Sequence, residues 1–152
     1  MMPGIISTIL VPCNLAGRIW AEHGITLDES GAMKTGWIAS GGTWYFLEAG
    51  GSMVSDDWRR IGSTWYYFDA SGAMALGWRM IDDAWYYFDG SGAMVTGWKW
   101  IGGSYYYLDD SGVMLSNVWV GDYYLLPTGE MATNQWVDGY YVGADGRWVR
   151  GA

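Results

Sequence analysis

The stretch that decides the fold runs from Trp58 to Met74, WRRIGSTWYYFDASGAM. It returns at Trp78 to Met94 as WRMIDDAWYYFDGSGAM and at Trp98 to Met114 as WKWIGGSYYYLDDSGVM. Each copy is a Trp, a short polar turn, an aromatic run and then Gly-x-Met. A fixed period of this size marks a repeat architecture. The Gly of the last element recurs at Gly31, Gly51, Gly72, Gly92, Gly112, Gly129 and Gly146, in steps of 20, 21, 20, 20, 17 and 17. The leading Trp keeps pace at Trp37, Trp58, Trp78, Trp98, Trp119 and Trp136. Both series shorten at the same place, so the last two of about six units have lost three residues from one loop.

The loss locates the loop. Arg79-Met80-Ile81-Asp82-Asp83-Ala84 separates Trp78 from Trp85, whereas only Val120-Gly121-Asp122 separates Trp119 from Tyr123. The second is a tight hairpin connection. Each unit therefore reads as a β-hairpin: a Trp-led strand, a turn and an aromatic strand. Pairs such as Ser71-Gly72 and Ser91-Gly92 make the connection onward. In Trp65-Tyr66-Tyr67-Phe68, strand alternation puts the first and third side chains on one face and the second and fourth on the other. A lone hairpin is marginal in water, but stacked neighbours can cover both faces. The expectation is an all-β solenoid of stacked hairpins with almost no helix.

Composition agrees. Twelve Trp, twelve Tyr and three Phe make 18% of the 152 residues aromatic, and 24 are Gly. Disorder goes with few aromatics, so this chain folds. Its formal charge of −8 repels phosphates, which argues against nucleic-acid binding. Such a field instead concentrates small cations. Cys13 and His23 each stand alone, leaving no disulfide framework, no metal constellation and no positioned base. No stretch approaches the roughly 18 apolar residues of a membrane span.

The first residues, MMPGIISTILVPCNLAG, are apolar but lack the basic start of a signal peptide. Leu10-Val11-Pro12-Cys13 faintly resembles a lipoprotein cleavage box, from which the proline departs. A shortened or misassigned start is the expected account of this segment. Residues 1–30 read as an atypical lead-in with a degenerate first unit, and residues 31–152 as the repeat module.

Gly-Trp, then Trp-Tyr-Tyr-Phe, then Gly-x-Met-x-x-Gly-Trp resembles the choline-binding repeat of Gram-positive surface proteins and lysins, over roughly four-fifths of the chain. The resemblance implies hairpins stacked into a superhelix that bind choline between consecutive repeats. Two aromatics of one repeat and one of the next surround the trimethylammonium, with a Met nearby. It further implies a non-catalytic, extracellular wall-attachment module whose ligand is choline or phosphocholine on teichoic acid, with no cofactor.

Carried over residue by residue, it implies four cages. They are Trp37 and Trp44 with Tyr67, Trp58 and Trp65 with Tyr87, Trp78 and Trp85 with Tyr107, and Trp98 and Tyr105 with Tyr124. The neighbouring Tyr66, Tyr86 or Tyr106 could supply the third ring instead. Met74, Met94 and Met114 are possible extra contacts. The second-ring slots after Trp119 and Trp136 hold Asp122 and Gly139, and the slot after Trp20 holds Gly24, so those sites are expected to be incomplete.

The alternative for the rings is plain core. That reading suits Tyr66, Phe68, Tyr86 and Phe88. Trp pairs spaced by seven suit binding better, since Val, Ile and Leu would pack so thin a solenoid. The acidic pairs Asp56-Asp57, Asp82-Asp83 and Asp109-Asp110 read as turn residues rather than as a glycosidase pair. A second binding reading remains open: related repeats in glucan-binding domains and clostridial toxin tails use similar rings as sugar platforms. Those relatives more often carry Lys-Tyr-Tyr-Phe, so the Trp doublets favour choline.

Overall fold

The computed structural model describes residues 32–152 and, before them, the backbone of two short strands. Among the described residues every regular element is a strand, and the strands pair into two-stranded antiparallel hairpins. The chain forms two compact units, Met1–Leu76 and Gly77–Ala152. The first holds β1 (Ile19–Trp20) with β2 (Ile25–Thr26), β3 (Gly36–Ser40) with β4 (Thr43–Leu47), and β5 (Asp57–Ile61) with β6 (Thr64–Phe68). The second holds β7 (Gly77–Ile81) with β8 (Ala84–Phe88) and β9 (Gly97–Ile101) with β10 (Ser104–Leu108). It ends with β11 (Val118–Val120) paired to β12 (Tyr123–Leu125) and β13 (Gln135–Val137) paired to β14 (Tyr140–Val142). The expected all-β stack of hairpins is what forms. Cys13, His23, the Gly24 slot and most of the lead-in lie outside the described residues.

Register sets the two faces of each hairpin. Trp78 pairs with Tyr87 and Met80 with Trp85, so these four share one face, called the front. Arg79 pairs with Tyr86 and Gly77 with Phe88 on the back. Two-residue turns close the hairpins. Asp82 and Asp83 at φ 50° and 64°, and Asp138 and Gly139 at 47° and 83°, carry the left-handed backbone that matches strand twist.

Within each unit the front of one hairpin meets the back of the next. The Trp37 ring lies 4.9 Å from Tyr66 and 5.7 Å from Phe68. Trp78 lies 5.0 Å from Tyr106, and Trp98 5.3 Å from Tyr123. The last back-face residue of each aromatic strand becomes core: Phe68, Leu108, Leu125 and Val142 are 0% exposed. Each such side chain contributes about 1.5–3 kcal/mol by burial.

Within each unit, the segment after a hairpin joins that copy to the one before it. Asp69 accepts from the Ser71 amide at 2.8 Å, from its hydroxyl at 2.5 Å and from the Ala73 amide at 3.1 Å, folding a turn that Asp89 and Asp109 repeat. The chain then returns Met74 beside Phe68, where its amide donates to the Trp44 carbonyl of the preceding hairpin at 2.8 Å. Met114 makes the same bond to Trp85 and Met131 to Tyr105, each at 2.8 Å. The side chains interlock as well. Met53 lies over Gly72, Met94 over Gly112, Met114 over Gly129 and Met131 over Gly146, each filling space that a Cβ would take.

Gly129 combines both demands. Its φ is +91°, and an added Cβ would fall 2.5 Å from Met114 Sδ. Gly102 has φ +58° with nothing within 4 Å. Both alanine variants carry about 1–2 kcal/mol of left-handed strain. Gly129→Ala is expected to cost about 1–3 kcal/mol beyond that for displacing a packed side chain. Denaturant melts of the two variants check it, and equal losses would contradict the interlock.

Acid should loosen the turns. Hydrogen bonds from the Ser91 hydroxyl, outweighing partial burial, hold Asp89 below its ordinary 3.8. Burial opposes the same shift at Asp109, but bonds from Ser111 and Val113 outweigh it. A carboxyl depressed in the folded state stabilises above its unfolded pKa and loses that contribution as pH falls through the folded value. The melting temperature is therefore expected to fall as pH drops below about 4. In Asp89→Asn/Asp109→Asn, which keeps acceptors in both turns, that slope should shrink.

Candidate functional site

Front-face rings and the back-face ring above them recur as aromatic clusters. In the first unit, Trp37 and Trp44 stand 6.2 Å apart at 87°, and Tyr66 closes on Trp37 at 4.9 Å and 73°. In the second, Trp78 and Trp85 stand 6.3 Å apart at 88°, with Tyr106 at 5.0 Å and 66° from Trp78. Trp98, Tyr105 and Tyr123 line a cleft of about 310 Å³ together with Met131 and Asp145. Trp58 and Trp65 form the same near-perpendicular pair, 6.5 Å apart at 83°. The second ring of each pair stays open to water: Trp44 is 46% exposed, Trp85 40% and Tyr105 42%.

The third ring differs from the expected one. Tyr67 lies 5.2 Å from Trp58, Tyr87 5.1 Å from Trp78, Tyr107 5.1 Å from Trp98 and Tyr124 5.2 Å from Trp119, each beside the Trp of its own hairpin. Tyr67 donates to Asp56 at 2.8 Å, and the buried Tyr124 to Asn117 at 2.7 Å. Front-to-back stacking is the cause. These tyrosines share the front face with their Trp, so the preceding hairpin meets Tyr66, Tyr106 and Tyr123 instead. Of the residues read as core, Phe68 and Phe88 are fully buried, and the half-buried Tyr66 packs against the core around Phe68 while meeting Trp37.

Methionine supports the clefts. Met74 packs with Trp37 in the core around Phe68. Met114 is tied by its backbone to Trp85, and Met94 lies against Gly112. Met131, which the sequence reading passed over, lines the Trp98 cleft. Trp100 was passed over too. It stands two residues after Trp98 on the front face, 57% exposed and 4.8 Å from Tyr105, adding a ring where the second Trp is missing. Trp148 is a third omission: in the last copy it occupies the Met position, two residues after Gly146.

The electrostatics suit a cation. The Tyr106 hydroxyl donates to Glu130 at 3.2 Å; burial first, then the Glu130 carboxylate, pushes the phenol above its ordinary value and keeps it neutral. Ring faces already hold the chain's own cations. The Arg147 guanidinium lies 6.0 Å over Tyr123, and that of Arg150 lies 4.9 Å over Trp148. Asp57, held down by its bond from Arg59, belongs with Glu48 to a surface ion-pair network instead. Among the described residues no group of three or more His, Cys, Asp or Glu is placed to hold a metal ion. Among the described residues no helix is long and apolar enough to cross a membrane.

Comparison with known proteins matches choline-binding repeat models to residues 56–96 and 113–148, and a cell wall binding repeat model to residues 35–53 and 96–114. No curated protein matches the chain at a significant level. Among solved structures, choline binding protein F from Streptococcus pneumoniae is 37% identical over 91% of this chain and 46% of its own, with a TM-score of 0.76. CbpF in complex with ipratropium is 39% identical over 87% of this chain and 42% of its own, with a TM-score of 0.77. The Cpl-1 endolysin complexed with a peptidoglycan analogue is 33% identical over 79% and 38%, with a TM-score of 0.58. The chain thus spans less than half the length of these structures.

Proposed function

We propose that this chain, which belongs to the choline-binding repeat family, attaches to the cell wall by holding choline in the clefts between consecutive hairpins. The observation that carries the reading is the cleft lined by Trp98, Tyr105, Tyr123 and Met131, whose ring positions Trp78, Trp85 and Tyr106 repeat one copy earlier. A quaternary ammonium has no N–H to donate, so ring quadrupoles and apolar contact are what hold it. The complex of CbpF with ipratropium, whose cation is a quaternary ammonium, supports the same chemistry here. Within the two units the proposed cages are Trp37/Trp44/Tyr66, Trp78/Trp85/Tyr106 and Trp98/Tyr105/Tyr123. Trp58 and Trp65 offer the same front-face pair.

Magnitudes make each site weak. A cation–π contact contributes about 0.5–1 kcal/mol where exposed and about 2 where desolvated. Three half-open rings therefore sum to a few kcal/mol, and about 4 kcal/mol corresponds to millimolar affinity. A polymer bearing many cholines changes that, since linked sites can add about 10² to 10⁴ in avidity. Phosphocholine on teichoic acid is such a polymer, and an extracellular, wall-bound location follows from it. Residues 31–152 act as the module. It performs no chemistry itself and would tether a surface protein or a lysin, as the wall-binding part of a longer chain.

A titration of intrinsic Trp fluorescence tests this. Choline chloride is expected to give a saturable change in the millimolar range, with neither sodium chloride nor isomaltose matching it. Saturation by isomaltose alone would replace the proposal with a sugar-binding one. Choline bridging two hairpins binds only the stacked state, so it should also raise the melting temperature. Trp85→Ala should weaken its cleft by about 1–2 kcal/mol.

A further inference from the structure

We propose that the last pair of hairpins carries an additional quaternary-ammonium site of altered composition, built from Trp119, Tyr140 and Trp148. The inference rests on the reading of the other clefts as choline sites; Trp119 and Tyr140 hold the first-ring and third-ring positions of those clefts, whereas Trp148 is outside the repeat pattern that defines them. After Trp119 the shortened turn puts Asp122 where the second ring stands elsewhere, which should leave the cleft one wall short. The missing ring returns from another direction. Trp148 takes the position that Met74, Met114 and Met131 hold in their copies. It pairs beside Val142, and its amide donates to the Asp122 carbonyl at 2.7 Å, the counterpart of the Met114 to Trp85 bond.

The rings are arranged as in the other cages. Trp119 and Tyr140 lie 5.9 Å apart at 87°, and Tyr140 and Trp148 5.3 Å apart at 83°. With Gly121 they line a cleft of about 260 Å³. A residue serving only to cap the stack could remain Met, as in the other copies. A half-open cleft with three ring faces instead matches a bulky, hydrogen-bond-free cation.

A cation of the chain itself shows that the Trp148 ring accepts positive charge. Arg150 lies 4.9 Å over Trp148 and reaches Asp122 at 3.4 Å, with its side chain 74% exposed. An exposed ion pair of that length holds weakly. Trp148 thus already holds one cation of the chain against its ring.

Indole N–H resonances, assigned by single substitutions and followed during titration with choline chloride against a sodium chloride control, test the proposal. In the natural chain the Trp119 and Trp148 signals are expected to saturate alongside those of Trp85 and Trp98. In Trp148→Met, which installs the residue of the other copies and keeps the cap packed, the Trp119 response should disappear while Trp85 still titrates. Titration of Trp85 and Trp98 without Trp119 and Trp148 in the natural chain overturns the additional site and leaves the wall-binding reading standing. So does a Trp119 response that survives in Trp148→Met. Absence of any titrating indole overturns both.

Discussion

Each methionine lying over the glycine of the following copy is the contact on which the rest of the stack depends. A hairpin of two five-residue strands has two faces and no third layer, so neither face is covered until a neighbour arrives. Met53 over Gly72, Met114 over Gly129 and Met131 over Gly146 set how close and in what register that neighbour comes. The amide of the next methionine then fixes the approach, donating to the carbonyl of the second cage residue. Within each unit, consecutive hairpins are related head to tail rather than by a two-fold, so a front meets a back. Ring geometry follows from that polarity.

Binding uses the same arrangement. A front face presents two rings nearly at right angles, and the back face above it lowers one Tyr onto the first of them. Packing and ligand contact share residues: Trp37 touches Phe68 in the core and Trp44 at the cleft. The second ring, about 40% exposed, does little for the core and is the cheapest place for the chain to hold an open aromatic face. That division lets the fold persist while individual clefts vary. Tyr105 with Trp100 and Trp148 in place of a methionine are two such variations.

Periodicity made the hairpins legible because Trp, turn and Gly-x-Met recur together and shorten together. It also made the front-face pairs legible, since Trp78 and Trp85 sit at fixed offsets on a ladder of known alternation. The third ring was not legible from one copy. Tyr106 and Tyr107 are adjacent and chemically alike, and the choice between them depends on stacking polarity, a property of two copies in contact. Trp148 was missed for a different reason. Reading the last element as another Gly-x-Met treated a changed residue as a worn copy, when the change lies two residues after a well-kept glycine and adds a large ring. The asymmetry between a lost ring at Asp122 and a gained ring at Trp148 becomes visible only when the Trp148 amide is seen bonded to the Asp122 carbonyl.

Front-to-back closure is most directly tested by intermolecular NOEs between choline N-methyl protons and assigned ring protons in the second unit. The structure predicts NOEs from one bound choline to Trp78, Trp85 and Tyr106 together, with none to Tyr107 from that same ligand. NOEs that group Tyr107 with Trp78 and Trp85 and leave out Tyr106 would contradict the stacking polarity and the cages built on it.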